Sequence, residues 1–229
     1  MKKTYMLIAI LSMVTLFSAQ GQDNERDEIR KRWYPWAVSF NPTYLFNSGL
    51  RLDLHKQIPH SDNLLTLGVM GYLVPRNDDD YYGEWDMLFS DIEFTKMHGI
   101  GIEPGFKYFL PLRNRFFYLG ASASYTYFNI SYMDNYYNQY TENGLNYYEQ
   151  LYGEMDQHIH RLSVMMTIGI QNSRRIPFLA DGYIGLGYKY ALRDNNKQSF
   201  DSNMLSPGYR GFFIAMGINL GGRFGRRGR

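Results

Sequence analysis

Gly208–Phe224, GYRGFFIAMGINLGGRF, is the stretch whose reading decides the fold. Taken alternately, Arg210, Phe212, Ile214, Met216, Ile218 and Leu220 form a large, almost wholly apolar set. Tyr209, Gly211, Phe213, Ala215, Gly217, Asn219 and Gly221 form a set that is mostly small or polar. A period of two is an extended strand whose two faces meet different media. The first set is too apolar for water, and the second holds too much Gly and Asn for the core of a sandwich. Hydrocarbon outside and a crowded, partly polar lumen inside suit both.

The same alternation recurs upstream. Trp36–Phe46 places Trp36, Val38, Phe40, Tyr44 and Phe46 on one face, and Asn47-Ser48-Gly49 reads as a tight turn. Leu50, Leu52 and Leu54 oppose Arg51, Asp53 and His55, with a turn over Ile58–Asn63. Leu64–Val74 sets Leu65, Leu67, Val69 and Leu73 against Thr66, Gly68 and Tyr72. Met97–Leu110 sets Ile100, Ile102, Phe106 and Tyr108 against Gly99, Gly101, Glu103, Gly105 and Lys107. The fifth strand is expected over Arg115–Tyr132, the sixth over His158–Gln171 and the seventh over Phe178–Ala191. The final stretch makes eight. The expected architecture is therefore all-β: an eight-stranded antiparallel up-and-down transmembrane β-barrel over 36–224. Expected connections sort by length, short at Pro111–Asn114 and Asn172–Pro177, and long over Pro75–Lys96, Met133–Gln157 and Leu192–Pro207. Aromatic residues gather at strand ends, where interfacial girdles belong.

The flanks fit. Met1–Gly21 has Lys2 and Lys3, an apolar run from Tyr5 to Phe17, and small residues at Ala19 and Gly21, the parts of a removable signal peptide. Residues 22–35 are expected to form a short, charged periplasmic tail, and 225–229 a basic C-terminal tail. The chain has no Cys, so disulfides and thiolate chemistry are excluded, as is a lipid-anchored cysteine at the cleavage point. Aromatics reach 17%, with 21 Tyr. A net charge of +2 gives no reason to expect a nucleic-acid partner.

On these features the chain resembles the small eight-stranded outer-membrane β-barrel proteins of Gram-negative bacteria, the family of outer-membrane protein A's barrel domain. Gly211, Phe212, Ile214 and Met216 are similar to the C-terminal signal read by the barrel-assembly machinery. The resemblance implies residence in the cell outer membrane, contact with outer-membrane lipids, and that machinery as a partner during biogenesis. Gly225–Arg229 departs from the pattern by following the terminal aromatic, and no globular domain for anchoring to peptidoglycan is expected.

The inward set carries Arg51, Asp53, Glu103, Lys107, Arg161, Asp181 and Lys189. A barrel of eight strands is just wide enough to be filled by side chains, so mutual pairing is expected in place of an open pore. The long loops are acidic. Asp78, Asp79, Asp80, Glu84, Asp86, Asp91 and Glu93 lie in the first, and Asp134, Glu142, Glu149, Glu154 and Asp156 in the second. Arg113, Arg115, Arg174, Arg175 and the terminal arginines lie at the opposite end. Tyr136, Tyr137, Tyr140, Tyr147, Tyr148 and Tyr152, set among Asn and Gln, have the composition of an adaptable recognition surface for protein or glycan. No cofactor or metal is expected: the aspartate run matches no closed calcium loop, and His55 and His98 lack ligand company. His158, His160, Ser163 and Glu154 resemble the catalytic sets of lipid A deacylases, but alternation puts both histidines on the face opposite Ser163. The expectation is a non-enzymatic barrel acting as an accessory subunit of an outer-membrane complex or as a surface binding protein. A lipid-modifying barrel enzyme and a secreted soluble β-barrel binder are the alternatives.

Overall fold

The computed structural model describes residues 34–47, 49–59, 61–74, 95–110, 117–142, 144–172, 176–193, 200–201 and 204–225. The signal peptide, most of the tail before Trp36, the first acidic loop, the arginine-bearing turns and the terminal arginines beyond Gly225 lie outside the described residues.

Eight antiparallel strands close into a barrel in chain order: β1 (Trp36–Phe40), β2 (Gly49–Gln57), β3 (Leu64–Val74), β4 (Lys96–Phe109), β5 (Phe117–Glu142), β6 (Leu145–Gln171), β7 (Phe178–Arg193) and β8 (Gly211–Phe224). Closure is between β1 and β8, with Trp36 opposite Phe224 and Phe40 opposite Leu220. Each strand alternates as the sequence requires. Leu67, Ile102, Val164, Ile184 and Phe212 stand exposed on the outer wall, while Asp53, Tyr118, Asp181 and Asn219 are buried inside. Glycine on the inward face makes room for aromatic rings. A Cβ on Gly169 would collide with the Tyr118 ring, and one on Gly217 would meet the Tyr183 hydroxyl.

Two expectations fail. The first strand does not run to Phe46. It ends at Phe40, and Pro42–Asn47 forms a 3-10 helix. Pro42 has no N–H for a ladder, and Asn41 Oδ1 accepts from the Thr43 N–H at 3.1 Å, closing an Asx-type turn. Tyr44, expected outside with Trp36, consequently lies in the lumen. The second correction concerns the stretch 133–157, which is not a loop. It continues β5 and β6 as one hairpin, in register from Tyr132 opposite Met155 to Glu142 opposite Leu145. β4 accompanies β5 only to Ser131, and β7 accompanies β6 only from Ile159. Beyond those points no described strand pairs with the hairpin, which continues as a two-stranded ribbon over roughly 35 Å at the usual rise per residue. Gly144, with φ +78°, makes its tip.

Candidate functional site

The lumen is built in two storeys. Nearest the chain termini, Arg223 donates to the backbone oxygens of Ile176 and Asn172, both at 3.1 Å, and fastens the β6–β7 turn. Above it Leu64, Phe109 and Tyr118 pack together with Tyr183. Lys107 is ion-paired with Asp181. The same carboxylate accepts from the Tyr118 hydroxyl at 2.8 Å and from Asn219 Nδ2 at 3.1 Å. Next comes Arg51, whose guanidinium donates to Asp53 at 2.8 Å and to both Glu103 oxygens at 3.0 Å. Its remaining direction is taken by Tyr44 of the 3-10 helix, whose hydroxyl accepts from Arg51 Nη1 at 2.9 Å. Asn41 Nδ2 donates to the Tyr183 hydroxyl at 3.1 Å. These bonds tie β2, β4, β5, β7, β8 and the 3-10 helix together across the bore. Buried charges need such partners, because a carboxylate or ammonium stranded there costs several kcal/mol.

The storey towards the ribbon is different. It encloses a cavity of about 230 Å³ whose lining includes Arg161, Lys189, Ser124, Thr126 and Ser163. Arg161 is buried, its guanidinium lying 4.6 Å from the centre of the Phe128 ring, and its Nε has no hydrogen-bond partner among the described residues. Lys189 Nζ donates to the Met204 carbonyl at 2.7 Å and lies 4.5 Å from the centre of the Phe213 ring. Sequence reasoning expected both cations inside a paired network. The structure joins Arg51 with Asp53 and Glu103, and Lys107 with Asp181, and leaves Arg161 and Lys189 apart from those carboxylates. Phe200 folds over this storey, meeting the Tyr132 ring edge-on at 5.2 Å.

On the outer wall, the Tyr125 hydroxyl lies 2.7 Å from His160 Nδ1 and the Tyr127 hydroxyl 2.8 Å from His158 Nδ1. Ser163 Oγ instead lies 2.5 Å from Ser124 Oγ, inside. The wall separates hydroxyl from imidazole, so these groups do not assemble a nucleophile and its base. At the other end of the wall Lys56 stands 5.0 Å over the Trp36 ring.

The ribbon sorts its tyrosines onto two faces. Tyr137, Tyr148 and Tyr152 share one face with Asn135, Gln139 and Gln150, following the pairs Asn135–Tyr152, Tyr137–Gln150 and Gln139–Tyr148. Each of the three tyrosines is more than two-thirds exposed, at 69%, 67% and 67%. Tyr140 and Tyr147 stack on the opposite face with ring centres 5.4 Å apart. Tyr136 pairs with Leu151 through the backbone, and its side chain lies outside the described residues. On β8, Phe212, Ile214 and Met216 all point outward, and Gly211 opens the strand. Among residues outside the expected set, Tyr44 has the clearest role in the lumen. The Asn41-Pro42 turn signal was the one feature that placed it inside.

No family model matches the chain, and no curated protein does. A search of solved structures finds a likeness to CarO2 of Acinetobacter baumannii at 12% identity and a TM-score of 0.36, over 85% of this chain and all of that one.

Proposed function

We propose that the protein is a non-enzymatic barrel of the outer membrane that binds partners at the cell surface through its β5–β6 ribbon. The ribbon carries this reading. It is a two-stranded extension with one face of exposed tyrosines between amides, and acids with no lysine or arginine in the stretch 133–157. Rigid, amphipathic tyrosine rings with short amide neighbours give large contact area at low conformational cost, a combination suited to protein or glycan. The membrane reading is supported by the outer wall. Aliphatic residues on every strand face outward, Trp36 and Phe224 mark one rim, and the Tyr125–Tyr127–His158–His160 group marks the other. Closure leaves no sheet edge around most of that wall, as hydrocarbon demands. Phe212, Ile214 and Met216 then form the lipid-facing row of the strand offered to the assembly machinery. The paired charges across the inner storey support a sealed bore, and the separation of Ser163 from both histidines supports a binding role over a lipid-hydrolysing one.

Binding of the purified, detergent-solubilised protein to glycan and extracellular-protein arrays tests the proposal. Removal of residues 134–156 with a short Gly-Ser closure is expected to abolish the signal, and Tyr137→Ser with Tyr148→Ser to weaken it by about tenfold, the scale of aromatic anchors at an interface. Full binding after removal of the ribbon would refute the assignment.

A further inference from the structure

Among the described residues, the cavity of the ribbon-side storey is electrostatically incomplete, and one of its sides carries no strand ladder. Arg161 is 7% exposed, lines the cavity, and presents an Nε without a partner among the described residues. Lys189 lines it as well, and its partner among the described residues is the neutral Met204 carbonyl rather than an acid. Glu103 reaches the same cavity, but both of its oxygens are held by Arg51. Cations enclosed this way raise the energy of the empty site, and an oxyanion would offset it. Hydroxyls of Ser124, Thr126 and Ser163 supply further donors on the same lining, while Met165, Met204 and Phe213 supply apolar wall.

That gap in the ladder follows from the short first strand. β8 is paired to β1 only from Leu220 to Phe224, because the chain turns into the lumen after Phe40. From Gly211 to Asn219, no described strand runs along that edge of β8. The cavity lining continues to Ile214 and Met216, whose side chains stand on the outer wall at 61% and 72% exposure. Along that edge β8 faces the Pro42–Asn47 3-10 helix rather than a strand, so displacing the helix, with no strand ladder broken, would connect the apolar exterior with Arg161. This is a seam, and it ends at two cations.

We infer that the cavity is a binding site for a carboxylate or phosphate head group carried on a short apolar chain, with Arg161 and Lys189 holding the oxyanion and the methionines and Phe213 holding the chain. A lipid of the surrounding leaflet would enter through the seam, and a soluble anion would enter from the ribbon end.

Calorimetric titration of the whole protein in an uncharged maltoside detergent, with sodium octanoate and separately with inorganic phosphate, tests the site. Saturable one-to-one binding is expected, at least tenfold weaker in the Arg161→Gln, Lys189→Gln double variant and largely restored by Arg161→Lys with Lys189 intact. Octanoate binding far more tightly than phosphate, with an anionic lipid co-purifying with the wild type and lost from the double variant, supports entry from the bilayer. Equal binding of phosphate supports the soluble source. Should the double variant fail to show a heat-modifiable barrel on a gel, Lys189→Gln alone carries the comparison. No saturable binding of either probe, or binding indifferent to both cations in folded variants, would overturn the inference.

Discussion

The two storeys of the lumen are made from the same alternation, yet they treat charge in opposite ways. Near the termini, Asp181 is shared by Lys107, Tyr118 and Asn219, and Arg51 is enclosed by Asp53, Glu103 and Tyr44. Towards the ribbon, Arg161 and Lys189 are faced by aromatic rings, hydroxyls and a carbonyl. Pattern alone marks a residue as inward. Whether that position is a strut or a site depends on what the neighbouring strands bring to the same height, and tilt and shear decide this. The first storey behaves as a structural closure, and among the described residues the second holds two cations that no carboxylate offsets.

The contrast can be broken most forcefully at Asp181. Asp181→Ala strands the Lys107 ammonium and frees the Tyr118 hydroxyl in a buried layer, and is expected to cost about 3–5 kcal/mol. Urea unfolding followed by the loss of the fast-migrating, unboiled gel band reads this directly, and an unchanged midpoint would show that the layer is not a strut. Arg161→Gln, made the same way, is expected to leave the midpoint unchanged or slightly raised.

Next in size is Gly169→Val. Its side chain would run into the Tyr118 ring, with an expected loss of about 1–3 kcal/mol from overpacking. Gly182 supplies the control. It lies one step out of phase on β7 with no heavy atom within 4 Å of an added Cβ, so Gly182→Val should be close to neutral. Equal effects at the two positions would mean that the ring does not sit over Gly169.

A smaller change is expected for Tyr44→Phe, which withdraws one acceptor from Arg51 and should cost about 1 kcal/mol by the same unfolding assay. Loss of nothing at all would place the 3-10 helix away from the bore. Smallest of all is removal of residues 134–156, expected to shift the barrel's stability by no more than about 0.5 kcal/mol. The ribbon makes its own ladder above Ser131 and Ile159 and shares none with β4 or β7. A large destabilisation would make it part of the barrel's support.

Much of the wall could be read from the chain. Strand β3 occupies Leu64–Val74 in sequence and structure alike, and the outward rows of β4, β6, β7 and β8 follow their even-numbered residues. The outer face of these segments is apolar and the inner face small or polar, so the two faces differ in polarity and the period survives. The ribbon is exposed on both faces. Its alternation is polar against polar, and hydrophobic periodicity falls silent there. The Asn143-Gly144 pair was nevertheless a hairpin signal of the strongest short-range kind. At Pro42–Asn47 the opposite happened: Tyr44 and Phe46 continued the phase of Trp36 and Val38, and that regularity outweighed the Asn-Pro turn mark. Within the lumen, sequence identified the charged residues but not their partners. Lys107 and Asp181 sit on β4 and β7, across the bore, and no local spacing relates them. The seam beside β8 was illegible for the same reason, since it exists only because β1 stops short.

The proposed role depends on the barrel crossing a membrane. The direct test is to wash isolated cell envelopes with alkaline carbonate and urea, extract the pellet with detergent, and compare unboiled with boiled mobility on one gel. The protein is expected to resist both washes, to be released by detergent, and to migrate faster before boiling than after. Release by carbonate or urea, or a single mobility in both samples, would contradict it.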